Sequence, residues 1–434
     1  MKSIFYFLFF LILTTTFGQQ KNAVIEDDYE ILKEKIRLYY NADNDRALMY
    51  AEQMAKSSNY EHLAFANGVM SCLLQRKGEV EKSKEKYNKA FVYLAKIPDS
   101  KAKKSLTADI YNYGGLTEWI RGNFSAALEE FQKGIEISSQ LGDIKQIIKF
   151  KANIALVNES VGNYQLSIKN SRELLEFINK NEGLFTDAEL LNRKSNLYLA
   201  LGSAYESYFV DKGKMEILDS LAYFYKKTIQ YSEKFPYNTI TAKLSLGNVF
   251  NWKGDYKNAE KTYLEVVSLA KQNGNSDLSA VYYNLGDINL TVKKYNKALS
   301  FYKKSDSISL LNDVNTLSYL KSNCYQARIY NILNMPELAH KHSRIYLDQL
   351  DEYESKLREE RLKVNYKQGE ENLTAEMLAI DKTYREDLFF KRLLSASYFI
   401  IFFGIIFLLI KNIRDKNRIR KKLIGLIAEP NAKA

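Results

Sequence analysis

Apolar residues return along most of this chain at helical spacing, and one short phrase breaks the runs at regular intervals. Gly122-Asn123-Phe124, Gly162-Asn163-Tyr164 and Gly254-Asp255-Tyr256 each close one apolar-striped segment and open the next. A glycine in the left-handed conformation ends a helix at its C-terminal cap. The Asn or Asp behind it offers an oxygen to the first free amides of the following helix. The aromatic residue then drops into the crease between the two. The pattern predicts helical hairpins repeated along the chain, a solenoid rather than a closed globule.

Small and large positions recur at fixed offsets around the phrase. Leu246-Gly247 precedes Gly254, and Ala259 and Tyr263 follow it. The next stretch has Tyr282, Leu285-Gly286, Tyr295, Ala298 and Tyr302, and an earlier one has Tyr111, Gly115, Phe124, Ala127 and Phe131. The small residues let two helices approach, and the rings fill the space beside them. These residues resemble the tetratricopeptide repeat, W-x2-L-G-x2-Y, then A-x3-F, then Pro. The resemblance implies an all-α, right-handed solenoid of about eight hairpins, with first helices near residues 28, 64, 108, 148, 195, 240, 279 and 320. Gly247 to Gly286 spans 39 residues and Gly122 to Gly162 spans 40, against the usual ~34. Pro98 and Pro236 each stand eight positions after the small residue of their second helix, Ala90 and Thr228. A second helix longer by one turn accounts for both facts. The fifth unit carries an insertion, Phe209 to Asp219. Only 4 Pro beside 32 Tyr and 23 Phe suits helices packed through aromatic rows.

Two segments leave the repeat pattern. Residues 1–18 read as a secretory leader: Lys2, an apolar run from Ile4 to Leu13, and a small-x-small site at Thr16-Phe17-Gly18. Leu393 to Ile410 has 18 residues without a charge, 13 of them Leu, Ile or Phe. At the centre of a span those 13 contribute on the order of −4 to −8 kcal/mol to insertion. Being apolar all round, this segment reads as a transmembrane helix. Residues 411–434 hold eight Lys or Arg, against two in 387–410. The positive-inside rule therefore puts this tail in the cytoplasm, and a leader puts the repeats on the other side, in the periplasm. The divisions are a signal peptide 1–18, a solenoid 19–349, a stalk 350–392, a span 393–410 and a tail 411–434.

Charge changes meaning under this division. Of the net +11, the tail (eight positive, two negative) holds +6 and Lys2 one, leaving +4 for residues 19–410. The excess reports topology and contact of 411–426 with anionic lipid or a cytoplasmic partner, and it is poor evidence for nucleic-acid binding, which is not expected. The stalk carries nine basic and eleven acidic residues over 351–392. Leu350, Tyr353, Leu357 and Val364 mark a short heptad seam, fitted to a second copy of the chain or carried on a single solvated helix.

Catalytic constellations are not found. His340 and His342, two apart on a helix, point to nearly opposite sides and share no metal. Cys72 and Cys324 fall in distant units. Glu129-Glu130 and Glu359-Glu360 read as solvated faces. No phosphate loop, HExxH or nucleophile elbow occurs, so no enzyme, metal or cofactor is expected. The resemblance places a concave groove on the first helices, lined here by Asn112, Trp119, Asn248, Asn251, Trp252, Tyr283, Asp287, Arg328 and Asn331. Asn can satisfy a bound backbone, and aromatic rings give contact area. Ordinary solvated or ring-packing positions are the other reading of the same nine.

The expected function is a single-pass protein of the bacterial inner membrane whose repeats bind a protein or peptide, as a sensory or adaptor component. The layout is similar to the sensory half of membrane-bound regulators that carry a histidine kinase or helix-turn-helix output domain. The 24 residues after Ile410 are too few for either core. The alternatives are a passive envelope scaffold and, more remotely, a transcription regulator acting through the tail.

Overall fold

In a computed structural model of the chain, residues 29–41, 43–273, 278–311 and 317–428 are described. The expected leader at 1–18 lies outside them. Sixteen α-helices follow one another, with no strand among the described residues. They form eight successive pairs: α1 (29–39) with α2 (Asn44–Met54), α3 (Tyr60–Arg76) with α4 (Val80–Leu94), α5 (Lys101–Ile120) with α6 (Phe124–Leu141), and α7 (Ile144–Ser160) with α8 (Tyr164–Lys180). Then come α9 (Asp187–Lys212) with α10 (Leu218–Tyr231), α11 (Pro236–Trp252) with α12 (Tyr256–Gln272), α13 (Ser279–Thr291) with α14 (Tyr295–Leu311), and α15 (Leu317–Ile332) with the start of α16 (Pro336–Ala428). The chain divides into two units, Met1–Val364 and Asn365–Ala434.

The glycine half of the repeated phrase works as its sequence suggests. Gly122, Gly162 and Gly254 have φ of 74°, 86° and 79°. The Gly122 amide donates to the Trp119 carbonyl (3.0 Å) and the Asn123 amide to the Glu118 carbonyl (2.9 Å), closing α5. The same two bonds recur at Gly162-Asn163 and Gly254-Asp255. The capping half holds at one site of three. Asp255 accepts from the Asn258 amide (3.2 Å), but neither Asn123 nor Asn163 caps its helix with a side-chain oxygen. Asn123 turns its Nδ2 to Glu118 Oε2 instead (2.7 Å). At α6 the capping oxygen comes from α16, where Glu360 Oε2 accepts from the Ser125 amide at 2.9 Å.

Four of the hairpins are locked by a ring against a glycine. A Cβ on Gly247 would lie 2.3 Å from Tyr263 Cε1, one on Gly286 2.6 Å from Tyr302 Cε1, and one on Gly115 2.3 Å from Phe131 Cε1. Gly202 stands in the same relation to Tyr225. The facing small residues Ala127, Thr228, Ala259 and Ala298 are fully buried, as are the rings of Tyr263 and Tyr302. Backbones therefore close to near contact on one side, and apolar area leaves water on the other.

Two expectations about length need correction. The extra residues of each repeat are shared: α7 and α8 have 17 each, α5 has 20 and α6 has 18. The physical reason is that the first helices begin early. Ser100 caps α5 by accepting from the Lys103 amide (3.0 Å), and Pro236 occupies the first turn of α11 rather than ending α10. Of the insertion at 209–219, residues 209–212 prolong α9, Gly213 (φ 67°) closes it, and Met215–Ile217 form a 3-10 turn that leads into α10. Phe209 is buried and packs on Trp252, ring centres 4.8 Å apart.

The stretch read as a solvated stalk starts as part of the repeats. Within the first unit, Val364 is fully buried in the cluster that holds Leu128, Phe131 and Phe150. Glu360 is buried rather than solvated, because the α6 amide end takes its carboxylate. In the second unit, α16 carries an 18-residue window of mean hydropathy 2.6, long and apolar enough to cross a membrane by length and composition. The side chains of Leu393, Phe399, Phe403 and Leu409 are exposed there.

Candidate partner-binding face

Successive first helices are stitched together by one bond used repeatedly. The residue four after a close-approach small residue pairs with the residue one after its counterpart in the next repeat. From α7 to α9, Ser203 Oγ donates to Glu159 Oε1 (2.6 Å). From α9 to α11, Asn248 Nδ2 donates to Glu206 Oε1 (2.8 Å). From α11 to α13, Asn251 Nδ2 donates to Asp287 Oδ2 (3.3 Å). The second helices join in: the Tyr225 hydroxyl donates to Glu206 Oε2, and that of Tyr263 to Asn248 Oδ1 at 2.7 Å. A side-chain ladder thus runs across α7, α9, α11 and α13 on one face.

Seven of the nine residues singled out from sequence are engaged within the fold. Asn112 is buried and accepts from Asn153 Nδ2 (2.8 Å). Trp119 Nε1 donates to Ser160 Oγ (2.8 Å). Asn248 and Asn251 are rungs, and Asn248 Oδ1 also accepts from Asn284 Nδ2 (2.8 Å). Trp252 packs on Phe209. Tyr283 lies against Tyr302 and Tyr325, with ring centres 5.9 and 6.3 Å away. Asp287 accepts from Asn251. Arg328 and Asn331 are exposed, the former with its guanidinium 5.5 Å from the Tyr325 ring centre.

Glu159 and Glu206 did not figure among the nine, although their register points to them. Each stands four after a small residue, Ala155 and Gly202, as Trp119 and Asn251 do after Gly115 and Gly247. The carboxyl groups are half-buried. Burial pushes Glu159 up to about 7, with Glu206 adding to the rise and the Ser203 and Ser207 hydroxyls opposing it. Burial likewise raises Glu206 against hydrogen bonds from Tyr225, Asn248 and Ser245, and raises Asp287 against Asn251 and Lys321. Among the described residues no cation stands within ion-pair distance of these three. On α5, Asp109 by contrast is paired with Lys149 at 2.8 Å.

Elsewhere, an apolar groove of about 540 Å³ opens between α7 and α8, lined by Ile144, Ile147, Ile148, Ile154, Leu174 and Phe177. No group of three His, Cys, Asp or Glu that could hold a metal occurs among the described residues. Cys72 and Cys324 are free thiols; Cys72 is buried and accepts from the Tyr40 hydroxyl (2.9 Å). His342 sits half-buried against Asn323 and Tyr330, and His340 is exposed.

Comparison with known proteins bears on the architecture. Residues 238–305, which cover α11 to α14, match the Tetratricopeptide repeat family. The chain is similar to a solved Rap protein complexed with Competence and Sporulation Factor, at 14% identity and TM-score 0.50, over 78% of this chain and 99% of that one. It is also similar to NprR in complex with its cognate peptide NprX, at 14% identity and TM-score 0.45, over 78% and 99% of the two chains. The apo form of the quorum sensor NprR from B. thuringiensis aligns at 16% identity and TM-score 0.43, over 75% and 99%. At such identities the likeness is one of fold. Among curated proteins none matches.

Proposed function

We propose that this chain, a solenoid carrying tetratricopeptide repeats, is a membrane-moored binding protein whose first helices hold a cationic segment of a protein or peptide partner. It acts by binding rather than catalysis. Residues 393–410 anchor it, the repeats lie outside the cytoplasm, and the tail at 411–426 contacts anionic lipid or a cytoplasmic partner as a sensory or adaptor link. One observation carries the binding reading: Glu159 and Glu206, at matching places on α7 and α9, and Asp287, on the same ladder at α13, are half-buried, with raised proton affinity and no paired cation among the described residues. A lysine, arginine or terminal ammonium brought to such carboxylates restores their charged form and gains a charge-assisted hydrogen bond. The solved Rap protein of similar fold is itself a complex, which accords with this use of the scaffold.

The test uses the full chain in detergent and two labelled octapeptides, one lysine-rich and one glutamate-rich. At pH 8 the basic peptide binds about tenfold or more tighter than the acidic one, a difference of ~1.4 kcal/mol. At pH 5.5, where Glu159 is protonated, its affinity falls, and Glu206→Gln weakens it at pH 8. Equal affinity for both peptides, or indifference to pH and to Glu206→Gln, overturns the reading.

A further inference from the structure

Residues 350–364 make three terminal caps and one core contact on the edge where two hairpins turn. Lys356 Nζ donates to the Arg121 carbonyl at the end of α5 (2.6 Å), and Arg361 Nε donates to the Val161 carbonyl at the end of α7. Glu360 Oε2 takes the Ser125 amide at the start of α6 (2.9 Å). Each charge has the sign that its helix end favours: cations at two carbonyl ends, an anion at the amide end. The turn glycines make room. A Cβ on Gly162 would lie 2.5 Å from the Arg361 guanidinium, and one on Gly122 3.5 Å from Lys356 Cε. Val364 is fully buried in the cluster beneath.

The docked stripe is the one that pairing would need. Leu350, Leu357 and Val364 recur every seven residues, so they share one face of α16. Val364 on that face is fully buried and Leu350 and Leu357 are half-buried, while Tyr353 of the same seam is 43% exposed and Leu362 on another face 71% exposed. We infer that the α5–α6 and α7–α8 turns form a helix-docking site held in cis by residues 350–364, and that this docking excludes pairing of the same stripe with a second copy of the chain. The solenoid is then a clasp on the membrane-proximal helix. Whatever opens the clasp frees the seam, and whatever pairs the seam leaves the docking edge vacant. This stands whether or not the repeats bind a cationic partner.

Hydrogen exchange and light scattering on the full chain in detergent test it. In the unaltered chain, 350–364 exchanges at least about tenfold more slowly than the exposed stretch 377–384, and the mass is that of one chain. Lys356→Ala with Arg361→Ala removes two caps and leaves the seam intact. Ser125→Pro removes the third from the repeat side at a first-turn position that tolerates proline. Both variants lose the protection at 350–364 and in the first turn of α6, and both shift the mass toward two chains. Equal exchange of 350–364 and 377–384 in the unaltered chain overturns the clasp. Released variants that stay single overturn the exclusion. Faster exchange over 238–305 as well would mark misfolding, and the comparison within the unaltered chain then decides.

Discussion

At Gly247 a methyl group would meet the Tyr263 ring at 2.3 Å, and both flanking helices are fixed by their neighbours. Gly247→Ala therefore forces the ring from its place and costs about 1–3 kcal/mol. That is read as a lower denaturation midpoint of the full chain, and no loss would contradict the interlock. This contact was legible in the sequence because Gly247, Ala259 and Tyr263 recur in kind at 286, 298 and 302. Glu159 was less so. A glutamate in an apolar-striped helix looks like a solvated position until the next repeat's Ser203 is seen to donate to it at 2.6 Å. Its raised proton affinity gives a sign. The folded chain holds the proton up to about pH 7, whereas an unfolded glutamate releases it near ~4.3. Folding thus takes up a proton within that window, so stability falls as pH rises from about 4.5 to 7. Above it the penalty is on the order of 3 kcal/mol. Glu159→Gln should flatten this slope and stabilise the chain at pH 8; melting curves at pH 5 and pH 8 with an unchanged slope would refute the assignment.

For the helices, the glycine that ends one and the residue that begins the next proved separable. Gly122, Gly162 and Gly254 all close helices, because the left-handed turn is a local property of one backbone position. Capping depends on where a side chain finds its partner, and Asn123 finds Glu118. Asp255→Ala should accordingly cost about 1 kcal/mol, and Asn123→Ala distinctly less. Urea midpoints of the two variants measure the difference, and equal losses would contradict it. The same non-locality hid Glu360. Sequence spacing placed it on a charged helix, and only the arrival of the α6 amide end, 235 residues earlier in the chain, makes it a buried cap. Helix lengths were misjudged for a related reason: proline was read as ending α10, while Pro236 pre-sets the first turn of α11.

For the molecule as a whole, the stacked hairpins were legible because a period near 40 residues repeats the same small, aromatic and glycine positions. The side-chain ladder was legible in outline only. Its rungs join different repeats, and Asn112, Trp119, Asn248 and Asn251 turned out to be fastened within the fold. That leaves the carboxylates of Glu159, Glu206 and Asp287, hydrogen-bonded but without an ion pair among the described residues, as the chemistry on offer. The proposed role of this face depends on the repeats and the basic tail lying on opposite sides of a membrane, joined through residues 393–410. A membrane-impermeant maleimide tests this most directly, on a chain with Cys72→Ala and Cys324→Ala and one new thiol at a time. Tyr223→Cys, at an exposed position on α10, should be labelled in intact spheroplasts, and Lys416→Cys only after the membrane is permeabilised. Equal labelling of both before permeabilisation, or labelling of Lys416→Cys alone, would contradict it.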